Sequence, residues 1–122
     1  MILVLALGIG VLYASGAYLM MQRSLTRIVI GLALIGHGAN LLLLLAGGRA
    51  GDPPFVGESG PVSDPLPQAL ALTAIVITFA VSAFLLALAY RSWQLRRDDE
   101  VQDDIEDRRI ARIARAERDE VE

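Results

Sequence analysis

Three long apolar segments constrain this chain more than any other feature of its sequence. They cover residues 2–21, 28–46 and 66–90, and none of them contains Asp, Glu, Lys or Arg. An apolar segment of about 20 residues has the length that a helix needs to cross the hydrocarbon layer of a membrane. Because backbone groups in lipid must be hydrogen-bonded within their own segment, the sequence predicts an all-α membrane protein with three transmembrane helices.

Charge is divided unevenly along the chain. Residues 1–97 carry six arginines and three acids, whereas residues 98–122 carry five arginines and eleven acids. We therefore divide the chain into a transmembrane domain (1–97) and a charged tail (98–122). Opposite charges at helical spacing predict a solvated helix in the tail, and a disordered tail is the alternative. The overall acidity of the chain describes the tail and gives no sign of a nucleic-acid surface, so no nucleic-acid partner is expected.

The positions of the arginines predict how the chain crosses the membrane. Arg23 and Arg27 lie between the first two segments, and three more arginines follow the third segment. The loop over residues 47–65 has one arginine and three acids. The positive-inside rule then places the N-terminus outside and the C-terminus in the cytoplasm of a bacterial cell.

Small residues recur at helical spacing in the apolar segments. Ala6, Gly10 and Ala14 form a stripe on the first segment, and Gly31 and Gly36 lie in the second. Such residues let transmembrane helices approach closely. They are predicted to pack helices together, and their number favours a larger assembly.

A few polar residues interrupt the apolar segments. His37 is central in the second segment and is expected to share a helix face with Asn40 and Ala33. It either carries protons or organises water, or it is a neutral side chain hydrogen-bonded across a helix interface. Thr78 and Ser82 share a face of the third segment, where they either bond to their own helix backbone or line a hydrated path.

The residues that enzymes and metal sites require are missing. The chain has no cysteine, a single histidine and no carboxylate within its apolar segments. We expect no catalytic residue, no bound metal and no cofactor, and hence no enzyme. A transporter of protons or sodium normally has an ionisable group inside the membrane, so this chain is not expected to exchange ions alone.

Two runs of sequence resemble a known family. Residues 64–77 read DPLPQALALTAIVI and residues 31–44 read GLALIGHGANLLLL. They resemble the signature and the second helix of the C subunit of multisubunit Na⁺/H⁺ antiporters of the Mrp type. The signature residues are Asp64, Pro65, Pro67, Gln68 and Thr73.

The resemblance implies a small, non-catalytic antiporter subunit. Its partners would be larger membrane subunits that move Na⁺ and H⁺, and its polar residues would line a hydrated path. The family is similar to the K subunit of respiratory complex I, whose two intramembrane glutamates are replaced here by Ala33 and Thr78. The alternatives are a membrane-arm subunit of a complex I-like or hydrogenase-like redox pump and a self-assembling protein such as a holin.

Overall fold

The chain is built from helices. The computed structural model describes residues 1–53, 55–57, 59–101 and 104–121. Its helices are α1 (Ile2–Met20), α2 (Leu25–Ala46), α3 (Pro65–Arg96) and α4 (Ile105–Val121). The first three are long and apolar enough to cross a membrane, which confirms the predicted all-α architecture with three spans. The direction in which they cross stays a prediction.

Local sequence sets the helix ends. Ser24 caps α2 by accepting a hydrogen bond from the Arg27 amide at 3.4 Å. Asp64 caps α3 by accepting one from the Leu66 amide at 3.0 Å, with a proline at the first helical position. Both caps satisfy amides that have no partner inside the helix. Asp64 followed by Pro65 is a residue pair that commonly begins a helix, so the start of α3 is encoded locally.

The third helix continues beyond the predicted end of its span. It reaches Arg96, and Arg97 then ends it in the left-handed conformation with φ of 57°. The Tyr90 and Trp93 rings stack with their centroids 6.0 Å apart, and the Arg97 guanidinium lies 5.0 Å from the Trp93 ring centre. Aromatic rings and arginines are typical of the membrane interface, so this end of α3 is suited to the headgroup layer.

The three spans form a row with α2 in the middle. Helix α2 packs against α1 and against α3, whereas α1 and α3 do not contact each other within the described residues. In apolar windows of the three spans, only 11%, 22% and 6% of the residues are buried. Most of the apolar surface is therefore left for lipid or for other proteins.

Glycines bring the backbones of α1 and α2 into contact. A Cβ added to Gly16 would lie 2.9 Å from the Gly31 carbonyl oxygen, and one added to Gly31 would lie 2.6 Å from the Gly16 oxygen. Gly38 faces the Tyr13 ring in the same way, at 3.0 Å. These distances leave no room for a side chain.

The predicted small-residue stripe of α1 lies elsewhere. Ala6, Gly10 and Ala14 are exposed, and a Cβ on Gly10 would meet nothing within 4 Å. Any packing by this stripe would need a neighbour outside the described chain. Its role in packing stays a prediction.

We predict that Gly31→Val destabilises the subunit and that Gly10→Val does not. The new side chain at Gly31 would meet backbone atoms, and overpacking of this kind costs about 1–3 kcal/mol. The measurement is the thermal unfolding of each purified variant in detergent. Equal melting temperatures for the two variants would contradict the contact between α1 and α2.

Candidate polar site between the second and third helices

One stripe of α3 faces α2. Its residues recur every three or four positions and are buried or half-buried, while their neighbours are exposed. They are Pro67, Ala71, Ala74, Thr78, Ser82, Leu85 and Ala89. This spacing is that of one helix face.

Two contacts fix the register of this antiparallel pair. A Cβ on Gly36 would lie 3.1 Å from the Thr78 methyl carbon, and one on Gly47 would lie 3.1 Å from Cβ of Pro67. Counting along both helices from these points places Asn40 opposite Ala74, about one turn from Thr78. The two helices therefore bring polar residues from separate parts of the sequence together.

Asn40 is the buried polar residue of this interface. It is only 7% exposed, and its side-chain nitrogen has no hydrogen-bond partner within the described chain. A buried amide without a partner costs about 1–3 kcal/mol. The Asn40 amide is thus an available donor for a group not present in the chain itself.

Thr78 and Ser82 also have uncommitted hydroxyl groups. Two other hydroxyls in the spans bond to their own helix: Ser15 donates to the Val11 carbonyl at 2.6 Å, and Thr73 to the Ala69 carbonyl at 3.0 Å. Neither Thr78 nor Ser82 has a hydrogen bond to any described residue. Which of the two alternatives holds for this pair, backbone bonding or a hydrated path, stays a prediction.

His37 does not lie beside Asn40 in this interface. The three residues expected to share a face differ in burial: Asn40 is buried, Ala33 half-buried and His37 exposed. Residues three apart are offset by about 60° around a helix, and that offset separates the interface from the outer surface here. Asn40 and Thr78 lie about one turn apart along this interface, and Ser82 lies one turn further along α3. We call this row of three residues, which does not include His37, the interior polar site.

The family signature builds the other end of α3. Asp64 caps the helix, Pro67 contacts Gly47, and Gln68 donates to the Ser63 hydroxyl at 3.0 Å. Together with the loop after α2, these residues border a cavity of about 200 Å³. The signature thus joins the third helix to the end of the second.

The start of the tail is attached to the beginning of α2. The Asp99 carboxylate accepts hydrogen bonds from the Ser24 hydroxyl and, at 3.0 Å, from the Thr26 hydroxyl. The Leu25 amide donates to the Asp99 carbonyl at 2.8 Å, and the Val101 amide donates to the Arg23 carbonyl at 2.6 Å. These bonds join the loop between α1 and α2 to the segment after α3.

Sequence reasoning missed the role of Asp99. It is one of eleven acids in the tail, and its partners lie more than 70 positions away. The Ser24 hydrogen bond holds the pKa of the Asp99 carboxyl below its ordinary value, with further lowering by Thr26 and by the charge of Arg27. Because the folded-state pKa is lowered, this stabilisation is present above the ordinary carboxyl range and is lost as the pH falls through the folded pKa.

We predict that Asp99→Asn releases the tail from α2. Protection of the Leu25 and Val101 amides from hydrogen exchange, relative to the intrinsic rate at each pH, should then fall, and acidifying the wild-type protein through the lowered pKa of Asp99, below about pH 4, should have the same effect. Asp98→Asn is the matched control, since the Asp98 carboxylate accepts from the Glu100 amide within the tail. Unchanged exchange in Asp99→Asn would show that the carboxylate does not hold this contact.

Comparisons with known sequences identify the family. The chain matches the family NADH-ubiquinone/plastoquinone oxidoreductase chain 4L over residues 4–106. The C subunit of the Na(+)/H(+) antiporter from Alkalihalophilus pseudofirmus is 53% identical over 94 residues, which cover 75% of this chain and 84% of the relative. The corresponding antiporter protein from Bacillus subtilis is 46% identical over 93 residues, which cover 74% and 82%. This chain belongs to the chain 4L family, in its branch of antiporter C subunits.

Solved structures agree with this assignment. A chain of the Mrp complex from Dietzia sp. DQ12-45-1b is 40% identical, with a TM-score of 0.74 over 85% of this chain and 81% of that one. A chain of the membrane-bound sulfane sulfur reductase, an archaeal respiratory membrane complex, is 31% identical, with a TM-score of 0.70 over 82% and 96%. The resemblance found in the sequence is thus confirmed, and the protein is a multi-pass membrane protein whose named relatives are transporter components.

Proposed function

We propose that this chain is a small, non-catalytic subunit of a multisubunit Na⁺/H⁺ antiporter in the bacterial cell membrane. The observation that carries the proposal is its similarity to antiporter C subunits across all three spans. The open row of helices supports it, because a chain that buries so little of its own surface needs neighbours. Those neighbours are larger membrane subunits.

The distribution of charge along the chain supports ion transfer by these partners rather than by this chain. The apolar parts of α1, α2 and α3 contain no carboxylate, lysine or arginine. Groups that hold and release ions inside a membrane are normally ionisable. The larger subunits therefore supply them, and this chain supplies neutral surfaces.

The interior polar site lines part of a hydrated path. Asn40, Thr78 and Ser82 present an amide and two hydroxyls with no partner in the described chain. Because these groups follow one another about one turn apart, they would hold separate waters in a row, and each water would find its remaining partners in neighbouring waters or subunits. Neutral groups of this kind hold water without binding an ion firmly.

One observation favours a subunit of a redox pump as the second candidate function. The chain that is similar in the sulfane sulfur reductase belongs to a respiratory complex rather than to an antiporter. Co-purification separates the two functions. Large membrane subunits without flavin or iron–sulfur clusters support the antiporter, whereas a redox subunit in the purified complex supports the alternative.

Deletion tests the antiporter directly. Inverted membrane vesicles that lack this subunit should lose the Na⁺-dependent pH change, and the wild-type chain supplied in trans should restore it. The pH change is followed with a fluorescent dye after respiration has set up the gradient. Normal exchange without the subunit would overturn the proposal.

We predict that Thr78→Val combined with Ser82→Ala slows exchange in the assembled complex. Each lost hydrogen bond to water is worth about 1 kcal/mol, which corresponds to roughly a fivefold change in rate. Thr73→Val is the matched control, because Thr73 is exposed and bonded to its own helix. Equal exchange rates for the double variant and the control would show that the polar site is not part of the ion path.

A further inference from the structure

His37 lies at the centre of the second span. Nine residues separate it from each end of the apolar run over residues 28–46. At the rise of an α-helix this is about 14 Å to either end. An imidazole side chain is too short to reach water from that depth, unlike a long arginine or lysine.

The imidazole points away from both neighbouring helices. Gly36, before it, contacts α3, and Gly38, after it, contacts α1. His37 itself is exposed and has no hydrogen bond to any residue that the structure describes. The chain's own helices therefore do not satisfy its ring nitrogens.

Further residues of α2 extend the surface around His37. Ile30 and Leu44, seven positions away on either side, are 47% and 42% exposed, and Ala33 is half-buried one turn back. We call this surface, formed by Ile30, Ala33, His37 and Leu44, the His37 face. Ala33 lies one turn before His37, and its small side chain adds little bulk to this surface. This leaves room for another helix to approach closely.

Hydrocarbon chains cannot occupy this surface without leaving the imidazole unsatisfied. A neutral imidazole has one N–H donor and one acceptor nitrogen, and lipid tails bond to neither. Polar side chains at this depth almost always face protein or a water-filled cavity. The occupant must therefore offer a hydrogen-bonding group at the same depth.

We propose that the His37 face binds a transmembrane helix of a partner subunit, which carries a side-chain hydrogen-bond acceptor at the depth of His37. The His37 N–H donates to that acceptor, and Ala33 allows the close approach. This proposal rests on the membership of a membrane complex under the proposed function. It assigns His37 to a contact between two subunits, separate from the interior polar site.

Cross-linking in the purified, assembled complex tests which molecule covers this face. A photoreactive residue at Ile30 should cross-link to one partner helix, and the sequence of that helix should have a polar side chain about two turns from the cross-linked position, at the depth of His37. Adducts with lipid alone, or with a helix that is apolar at that depth, would overturn the proposal.

Substitutions at His37 test the hydrogen bond itself. His37→Leu should lower the fraction of this subunit retained in the complex in detergent by roughly fivefold, whereas His37→Gln should retain most of it. Ile77→Leu is the control, because Ile77 is 58% exposed on α3 and the helix register places it at the depth of His37. Equal retention of His37→Leu and the control would overturn the contact.

Na⁺/H⁺ exchange measured on the same preparations separates the two proposals. His37→Leu should reduce exchange less than deletion of the subunit, because the rest of the assembly remains. If the complex exchanges ions but the His37 face forms no protein cross-link, the contact is wrong and the antiporter function stands. A cross-linked complex without exchange would overturn the antiporter function and leave the contact supported.

Discussion

The position of α2 between the other spans depends on backbone contacts that only glycine permits. Gly16 and Gly31 bring α1 against one side of α2, and Gly36 admits Thr78 of α3 on another. Because α1 and α3 pack on different sides of α2, they do not bury each other's surfaces. The described chain therefore has almost no buried core. Lipid has no preference for burying one apolar helix against another, so close packing of small residues is what holds such helices together. The remaining faces are completed by other subunits.

An unpaired polar group in a transmembrane helix indicates a missing hydrogen-bond partner, because hydrocarbon cannot supply one. In water an exposed histidine needs no explanation, but at the membrane centre it requires a partner. The packing of α2 divides its two central polar residues between different surroundings: Asn40 enters the contact with α3, and His37 faces outward. Asn40 therefore belongs to the inside of this subunit and His37 to its outer surface, where we propose that a neighbour binds.

Sequence alone predicted the parts of this fold that depend on local pattern. The three spans follow from hydropathy, and the Asp64 cap follows from the residue types around Pro65. Helical spacing placed His37 and Asn40 near one another, but it contains no information on where the neighbouring helices lie. Asp99 could not be singled out for the same reason, since its bonds to Ser24 and Thr26 arise only after α3 has returned to the level of α2.

The neutrality of the interior polar site distinguishes this chain from the K subunit of complex I that it resembles. That subunit has glutamates at the positions held here by Ala33 and Thr78. A carboxylate at position 78 would lie in the α2–α3 contact, close to the Asn40 amide, and would be stabilised by this donor or by a bound cation. A firmly held cation would slow transport through the site. With threonine there instead, the contact contains only neutral hydrogen-bonding groups, which is consistent with the proposal that partner subunits carry out the charged steps.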